Sequence, residues 1–366
     1  MNIEEFKLKL DKEFGEGALV EFDGSTARCE ALTTGIPSLD LALGVGGLPR
    51  GRLVEIFGPE GAGKTTVALK VMAMAQKLAG QQPRLTYEPE SGEEIKSIAG
   101  RVGFIDVEHA FDPTLAELHG VKMGKGSGFY FSQPMSGADA MKQLSMMVDS
   151  GLFDVIVLDS VAGLFTEEEE KMGVGEQAIA GVARLMSNHL RKLVGKVNKT
   201  RTIVIFINQI REKPAVMFGN PETTPGGKAL KFYSSVRLRV SKGESIKDGT
   251  RQIGHIMKVK VAKNKVAPPY GETSVDLYYM PSERRKVEGG FDIFSDLLRT
   301  AKDMGIVELS GSQYRYVDKE TGELHKANGQ VAWRLYLQEH PEVFQKIEQE
   351  VLGFGYGPKQ NQQEQS

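Results

Sequence analysis

One stretch constrains the chain more than any other: Gly58-Pro59-Glu60-Gly61-Ala62-Gly63-Lys64-Thr65-Thr66. It fits the pattern G-x-x-x-x-G-K-[ST], and its flanks matter as much as the pattern. Leu53-Val54-Glu55-Ile56-Phe57 precedes it, apolar and β-branched enough for a buried strand. Thr66-Val67-Ala68-Leu69-Lys70-Val71-Met72-Ala73-Met74-Ala75 follows, good helix formers without a breaker. Strand, glycine-rich loop and helix let backbone N–H groups and a helix N-terminus face a polyphosphate. Lys64 would reach the β and γ phosphates, and the Thr65 hydroxyl would ligate Mg²⁺. The chain is therefore expected to bind a nucleoside triphosphate.

The remaining apolar runs place chemistry around that loop. Val102-Gly103-Phe104-Ile105-Asp106 reads as a buried strand delivering Asp106 and Glu108 at its end. Asp154-Val155-Ile156-Val157-Leu158-Asp159-Ser160 has the form of a strand whose terminal carboxylate, Asp159, holds Mg²⁺ beside a P-loop. Thr202-Ile203-Val204-Ile205-Phe206-Ile207 ends in Asn208-Gln209. Strands alternating with helical segments predict an α/β fold, a mostly parallel central sheet flanked by helices. Ligands in such sheets gather at the carboxyl ends of strands, where Glu108, Asp159 and Gln209 all fall.

Outside this core the pattern changes. Ile3, Phe6, Leu10 and Phe14 stand at helical spacing, and Ala18-Leu19-Val20-Glu21-Phe22 reads as a short strand. So small a helix and strand cannot bury their own apolar faces and must pack on the core or on another chain. Residues 80–100, polar, acidic and broken by prolines, read as a solvated insertion with a short helix. Glycine-bearing segments span 167–177 and 212–228. The second displays Met217 and Phe218 amid Gly219, Asn220, Gly226 and Gly227, a poor core and a plausible stacking surface. Arg184 and Arg191 are seven apart on one helical face, and Arg211 lies nearby. Residues 236–240 and 254–265 read as strands carrying a basic run. Beyond Pro281, residues 291–304, Tyr314-Arg315-Tyr316, 333–337 and 341–351 make a small α+β module that must dock to be stable. The boundaries follow as an N-terminal arm (1–33), a core (34–281), a C-terminal α+β domain (282–352) and a disordered tail (353–366).

Composition narrows the setting. A single cysteine, Cys29, allows no intramolecular disulfide and no cysteine-based zinc site, which points to a reducing compartment. The first residues carry no signal-peptide pattern and no apolar run approaches a membrane span, so a cytoplasmic protein with no membrane partner is expected. With a net charge of −2, nucleic acid would need a local basic or glycine-rich surface.

The P-loop, Phe104-Ile105-Asp106-Val107-Glu108-His109-Ala110, residues 155–160, Phe206-Ile207-Asn208-Gln209-Ile210-Arg211 and Met217-Phe218-Gly219-Asn220-Pro221-Glu222-Thr223-Thr224 resemble the bacterial RecA recombinase family. So do Ala229-Leu230-Lys231-Phe232-Tyr233 and Lys263-Asn264-Lys265, and the likeness runs from about residue 3 to 351. The resemblance implies a RecA-type ATPase core using ATP and Mg²⁺. It implies helical homo-oligomeric filaments on single-stranded DNA that pair and exchange strands with double-stranded DNA, in recombination, repair and the SOS response. It implies that Glu108 polarises the attacking water and that Gln209 senses the γ-phosphate and relays it towards Arg211. Residues 167–179, with Gly173, Gly175 and Ile179, would form the first DNA-binding loop and 212–228 the second. Lys263 and Lys265 would reach ATP held by the neighbouring subunit, where Phe232 and the arm residues Phe6 and Leu10 would also pack. Asp112 would contact the adenine, with Leu115 and Tyr279 beside it.

Several positions depart from the family pattern. Leu115 stands where an aromatic usually stacks on adenine, Met280 where glycine is usual, and Pro214, Pro225 and Lys228 alter the second loop. The tail is neutral and Gln-rich instead of acidic. These departures suit a divergent member, of bacterial or phage source. A hexameric helicase would share the P-loop and trans cations but lacks both DNA loops in this form. A non-catalytic nucleotide-gated scaffold would have no use for Glu108 and Gln209. Neither Asn198-Lys199 nor Asn264-Lys265 continues into the guanine-reading N-K-x-D, which disfavours GTP.

Overall fold

The computed structural model describes residues 1–15, 18–19, 29–79, 84–87, 94–97, 100–164, 181–212 and 222–356. Its centre is a nine-stranded sheet. In chain order the strands are β1 (Leu53–Gly58), β2 (Val102–Asp106), β3 (Phe129–Ser132), β4 (Val155–Asp159) and β5 (Ile203–Gln209). Then come β6 (Val236–Asp248), β7 (Arg251–Asn264), β8 (Glu272–Tyr278) and β9 (Gly290–Phe291). Across the sheet they run β9-β8-β7-β6-β1-β5-β4-β2-β3. Pairing is parallel from β6 through β1, β5, β4 and β2 to β3, and antiparallel from β6 to β9.

Apolar residues fill both faces of the parallel half, as strands covered on two sides require. Neighbours along β4 divide between the two cores: Val155 and Val157 join one, Ile156 and Leu158 the other. Helix Lys64–Lys77 packs into the first core through Val67, Val71 and Met72. Helices Gly137–Asp149 and Gly181–Thr200 cover the second through Met141, Leu144, Leu190 and Leu193.

The C-terminal residues form a three-stranded antiparallel sheet with helices Ile293–Asp303, Gln330–Glu339 and Pro341–Tyr356. Their own core gathers Leu297, Tyr316, Trp333, Leu337, Ile347 and Val351. The module docks on the main body, where the Ser38 amide donates to Asp296 Oδ2 at 2.9 Å.

Several expectations need adjustment. Residues 84–87 and 94–97 pair as an antiparallel ribbon in the stretch read as a solvated insertion with a short helix. Alternating Leu85, Tyr87, Ile95 and the run of β-branched and aromatic residues suit strands better than that reading allowed. Ala18 and Leu19 form a bend, the Ala18 amide donating to Asp11 Oδ1, and the rest of the strand expected at 18–22 lies outside the described residues. The last helix continues to Tyr356, four residues into the stretch read as tail. Strands β3 and β8 were not foreseen. Helix Ile3–Phe14 keeps its capping box yet buries none of its residues, so its apolar stripe is unpaired among the described residues.

Candidate nucleotide site and nucleic-acid face

The P-loop leaves β1 and enters helix Lys64–Lys77 through glycines that backbone geometry requires. A Cβ on Gly58 would sit 2.0 Å from the Val240 carbonyl oxygen of β6, so only glycine lets these strands approach. Gly63 caps the helix at φ 97°, in the left-handed region, and supplies no side-chain acceptor. The first N–H groups of the helix are thus left for an external anion. Lys64 turns back over the loop and donates to the Pro59 carbonyl at 2.7 Å. Burial lowers its pKa, while Asp159, Glu108 and Glu60 oppose that shift by stabilising the cation.

Across the loop, Thr65 Oγ1 donates to Asp159 Oδ2 at 2.7 Å, which joins helix and β4 at the expected metal edge. A hydroxyl and a carboxylate fit Mg²⁺, which takes few protein oxygens and fills its octahedron with water and phosphate. Burial raises the Asp159 pKa to about 6, with Glu108 and Asp106 adding repulsion and the Thr65 bond and Lys64 pulling the other way. A carboxylate so strained towards its neutral form gains from a cation.

Glu108, just beyond β2, is the meeting point of three strand ends. Its Oε1 accepts from the Ser160 hydroxyl and from Gln209 Nε2 at 3.1 Å. Ser160 follows the β4 terminus in sequence, and no local signal marks it as a partner of Glu108. Behind Gln209 lies a buried polar group that sequence reading treated as part of a strand. Asn208 Nδ2 donates to Glu55 Oε1 at 3.0 Å, and Arg237 Nε donates to Glu55 Oε2 at 2.5 Å. Arg237 also lies 4.3 Å above the Phe57 ring. Glu55 is fully buried, so these partners are what permit a carboxylate in the sheet centre.

A cavity of about 370 Å³ opens beside the loop between Gly61, Gly63, Thr66, Leu115, His255 and Tyr279. Asp112 caps helix Pro113–Leu118, its Oδ1 accepting from the Thr114 and Leu115 amides. Leu115 presents an apolar wall, and Tyr279 stands opposite with its hydroxyl 2.5 Å from His255 Nδ1. His255, which sequence reading passed over, is buried, and burial lowers its pKa, keeping the ring neutral.

The remaining predicted residues fall away from this cradle. Lys263 Nζ donates to the carbonyls of Lys231 (2.6 Å) and Phe232 (3.0 Å), and Lys265 Nζ reaches Phe232 O at 3.2 Å. Burial, with Lys265 and Arg237 adding repulsion, lowers the Lys263 pKa to about 8. Phe232 itself is 68% exposed. The structure does not bring these lysines to this chain's own P-loop. Arg184 and Arg191 are exposed on helix Gly181–Thr200, and Arg211 opens a two-stranded ribbon with Glu222–Thr223. Gly226 and Gly227 pack where a Cβ would stand 2.9 Å from Val161 and Ala183. Gly173, Gly175, Ile179, Met217, Phe218, Gly219 and Asn220 lie outside the described residues. Phe6 and Leu10 sit on the unpaired N-terminal helix.

A family model, the RecA N-terminal domain, matches residues 2–88 and 91–282. Protein RecA of Ruminococcus albus is 42% identical over 343 residues, covering 93% of this chain and 77% of its own length. Protein RecA of Aquifex aeolicus is 43% identical over 343 residues, covering 93% and 89%. A crystal structure of the RadB recombinase superposes on 67% of this chain and 96% of its own with TM-score 0.46 and 21% identity, a likeness too weak to weigh.

Proposed function

The chain belongs to the RecA family, and we propose that it is an ATP-dependent recombinase that forms helical filaments on single-stranded DNA. Within them it pairs the bound strand with homologous duplex and exchanges strands, hydrolysing ATP in response to DNA. The reading includes Mg²⁺ as the accompanying cation and the cytoplasm as the setting.

The observation that carries it is the bond between Gln209 and Glu108 at the end of β5. Gln209 is two residues from Arg211, where the ribbon bounding 213–221 begins. A side chain that would sense the γ-phosphate is thus separated by one residue from the strand that leads into the loop proposed to hold DNA. Glu108 takes a proton from water in line with the terminal phosphate. Lys64 and the helix N-terminus hold the transferring phosphate, and Thr65 with Asp159 would hold Mg²⁺, which supplies charge neutralisation. Lys263 and Lys265, remote from their own P-loop, complete the site of a neighbouring copy, which makes hydrolysis depend on assembly. Residues 167–179 and 212–228 hold the DNA strand.

The test is ATP hydrolysis by the full chain with and without single-stranded DNA, with electron microscopy of the same mixtures. DNA-stimulated turnover together with helical filaments is the expected result. A rate indifferent to DNA, or closed rings only, overturns the reading.

A further inference from the structure

A second cavity, of about 200 Å³, lies between β8 and the C-terminal module. Its charged lining is Arg285, Arg299, Lys302 and Arg334 against Asp276 and Asp292, four cations to two carboxylates. Tyr278 lines both this cavity and the nucleotide cavity. No role in nucleotide or DNA binding has been given to any of these cations.

The hydrogen bonds show how much of that charge is already answered. Arg334 is 6% exposed. Its Nη2 donates to Asp292 Oδ2 and, at 2.6 Å, to Ser295 Oγ, while Nη1 donates to the Arg285 carbonyl at 2.5 Å. Asp292 is further occupied in capping helix Ile293–Asp303 through the Ser295 amide. Asp276 Oδ1 stands 3.9 Å from Arg299 Nη2, beyond hydrogen-bonding distance. Arg285 makes one long contact into the cavity, Nη1 to Tyr278 OH at 3.5 Å. Two buried guanidinium nitrogens, Arg334 Nε and Arg299 Nη2, have no hydrogen-bond partner among the described residues.

Buried N–H donors of a charged group are costly to leave unmade, and native interiors answer them with protein, water or an ion. Lys302 already stands 3.7 Å from Asp303, which leaves three guanidinium groups against two carboxylates. Water can take single donors, whereas one oxyanion takes donors from several of these groups and adds the negative charge they lack. The guanidinium forks suit oxyanions, and they arrive from three separate segments, as a tetrahedral group with several oxygens can use. The volume falls below the roughly 300 Å³ at which pockets for larger organic ligands begin, which suits a small anion better than a nucleotide. We propose that this cavity binds a free phosphate-class oxyanion between Arg285, Arg299 and Arg334, at the seam between the sheet and the C-terminal module. Through Tyr278 the bound anion buttresses the far wall of the nucleotide cavity.

The test uses the full chain carrying Lys64→Ala, so that anion binding at the P-loop does not contribute. Inorganic phosphate is titrated calorimetrically at constant ionic strength set with chloride. One saturable site is expected, weakened about tenfold or more by Arg299→Gln and by Arg285→Ala, the loss of one charge-assisted contact. Arg285→Ala removes an exposed side chain and keeps the test open should Arg299→Gln fail to fold. Absence of saturable binding, or affinity unchanged in both variants, overturns the proposal. Binding of a short single-stranded oligonucleotide at these arginines without binding of inorganic phosphate also overturns it, since the source would then be a phosphodiester.

Discussion

Gln209 Nε2 donates to Glu108 Oε1 across 3.1 Å, joining the end of β5 to the segment that follows β2. The two side chains are 101 residues apart in sequence and meet because both strands end at one edge of a parallel sheet. While Gln209 and Ser160 both donate to Glu108 Oε1, that oxygen is the poorer of the two at accepting a proton from water. A γ-phosphate that draws Gln209 away would free the base and move the chain towards Arg211 in one step.

The two partners should therefore fail differently. Glu108→Ala is expected to keep ATP binding and lower turnover by about 10²–10⁴, the usual worth of a general base. Gln209→Ala, which removes one donor from Glu108, is expected to keep or modestly raise basal hydrolysis and lose its stimulation by single-stranded DNA. Steady-state ATPase rates with and without DNA, beside a nucleotide-binding measurement, check both. Equal loss of basal and stimulated rates in Gln209→Ala would remove the relay.

Asp159 sets a pH dependence whose sign can be worked out. Its folded pKa is about 6 against an ordinary 3.8, so between those values the folded state holds a proton that the unfolded chain has lost. Stability of the nucleotide-free, Mg²⁺-free chain should then fall as pH rises from about 4 to about 6, and stay lowered above it. The gap corresponds to on the order of 3 kcal/mol. Asp159→Asn, which keeps an oxygen for Thr65, should raise the denaturation midpoint at pH 7 and leave it unchanged near pH 3.5. It should also weaken retention of Mg²⁺–ATP. A variant no more stable at pH 7 would contradict the burial argument.

Much of this arrangement was legible in the sequence because its signals are local. Strand, glycine loop and helix follow one another at 53–77, and acids at strand ends mark Glu108 and Asp159 without any knowledge of tertiary contacts. The partners of those groups were not legible. Glu55 sits inside an apolar strand, and nothing local marks Asn208 and Arg237, 153 and 182 residues away, as its partners. The same holds for Arg334 and Asp292, where helix Gln330–Glu339 meets the cap of helix Ile293–Asp303 across 42 residues of sequence. Ribbon 84–87/94–97 escapes notice for another reason: Pro83, Pro89 and the acids at 88, 90 and 93 flank and connect two four-residue strands and outweigh them.

Glu55 should be among the costliest single truncations in the chain. Glu55→Ala leaves the largely buried Arg237 without its carboxylate and Asn208 with only the Pro225 carbonyl, and breaking a buried pair this way costs up to about 3–5 kcal/mol. Glu55→Gln keeps an amide oxygen for one donor and should cost less. Urea denaturation of the two variants tests the order. Because Asn208 adjoins Gln209, Glu55→Gln should in addition blunt DNA stimulation of ATP hydrolysis, whereas a purely structural Glu55 would leave the stimulation ratio intact.

Lys263 provides the sharpest test of assembly. In the single chain its ammonium rests on the carbonyls of Lys231 and Phe232, the residues that end helix Ala229–Tyr233 and present an exposed phenyl ring. Those carbonyls hold the cation at the surface until a stronger acceptor arrives, and the terminal phosphates bound by an adjacent copy would be one. Lys263→Ala should bind ATP normally and hydrolyse it poorly. Mixed with Glu108→Ala, it should regain part of the rate, because some interfaces then pair an intact Glu108 on one copy with an intact Lys263 on the next. The recovered rate should pass through a maximum as the mixing ratio varies and vanish on dilution below the assembly concentration. A cation acting within its own chain gives no recovery at any ratio, and that result would return Lys263 to a local role at the end of β7.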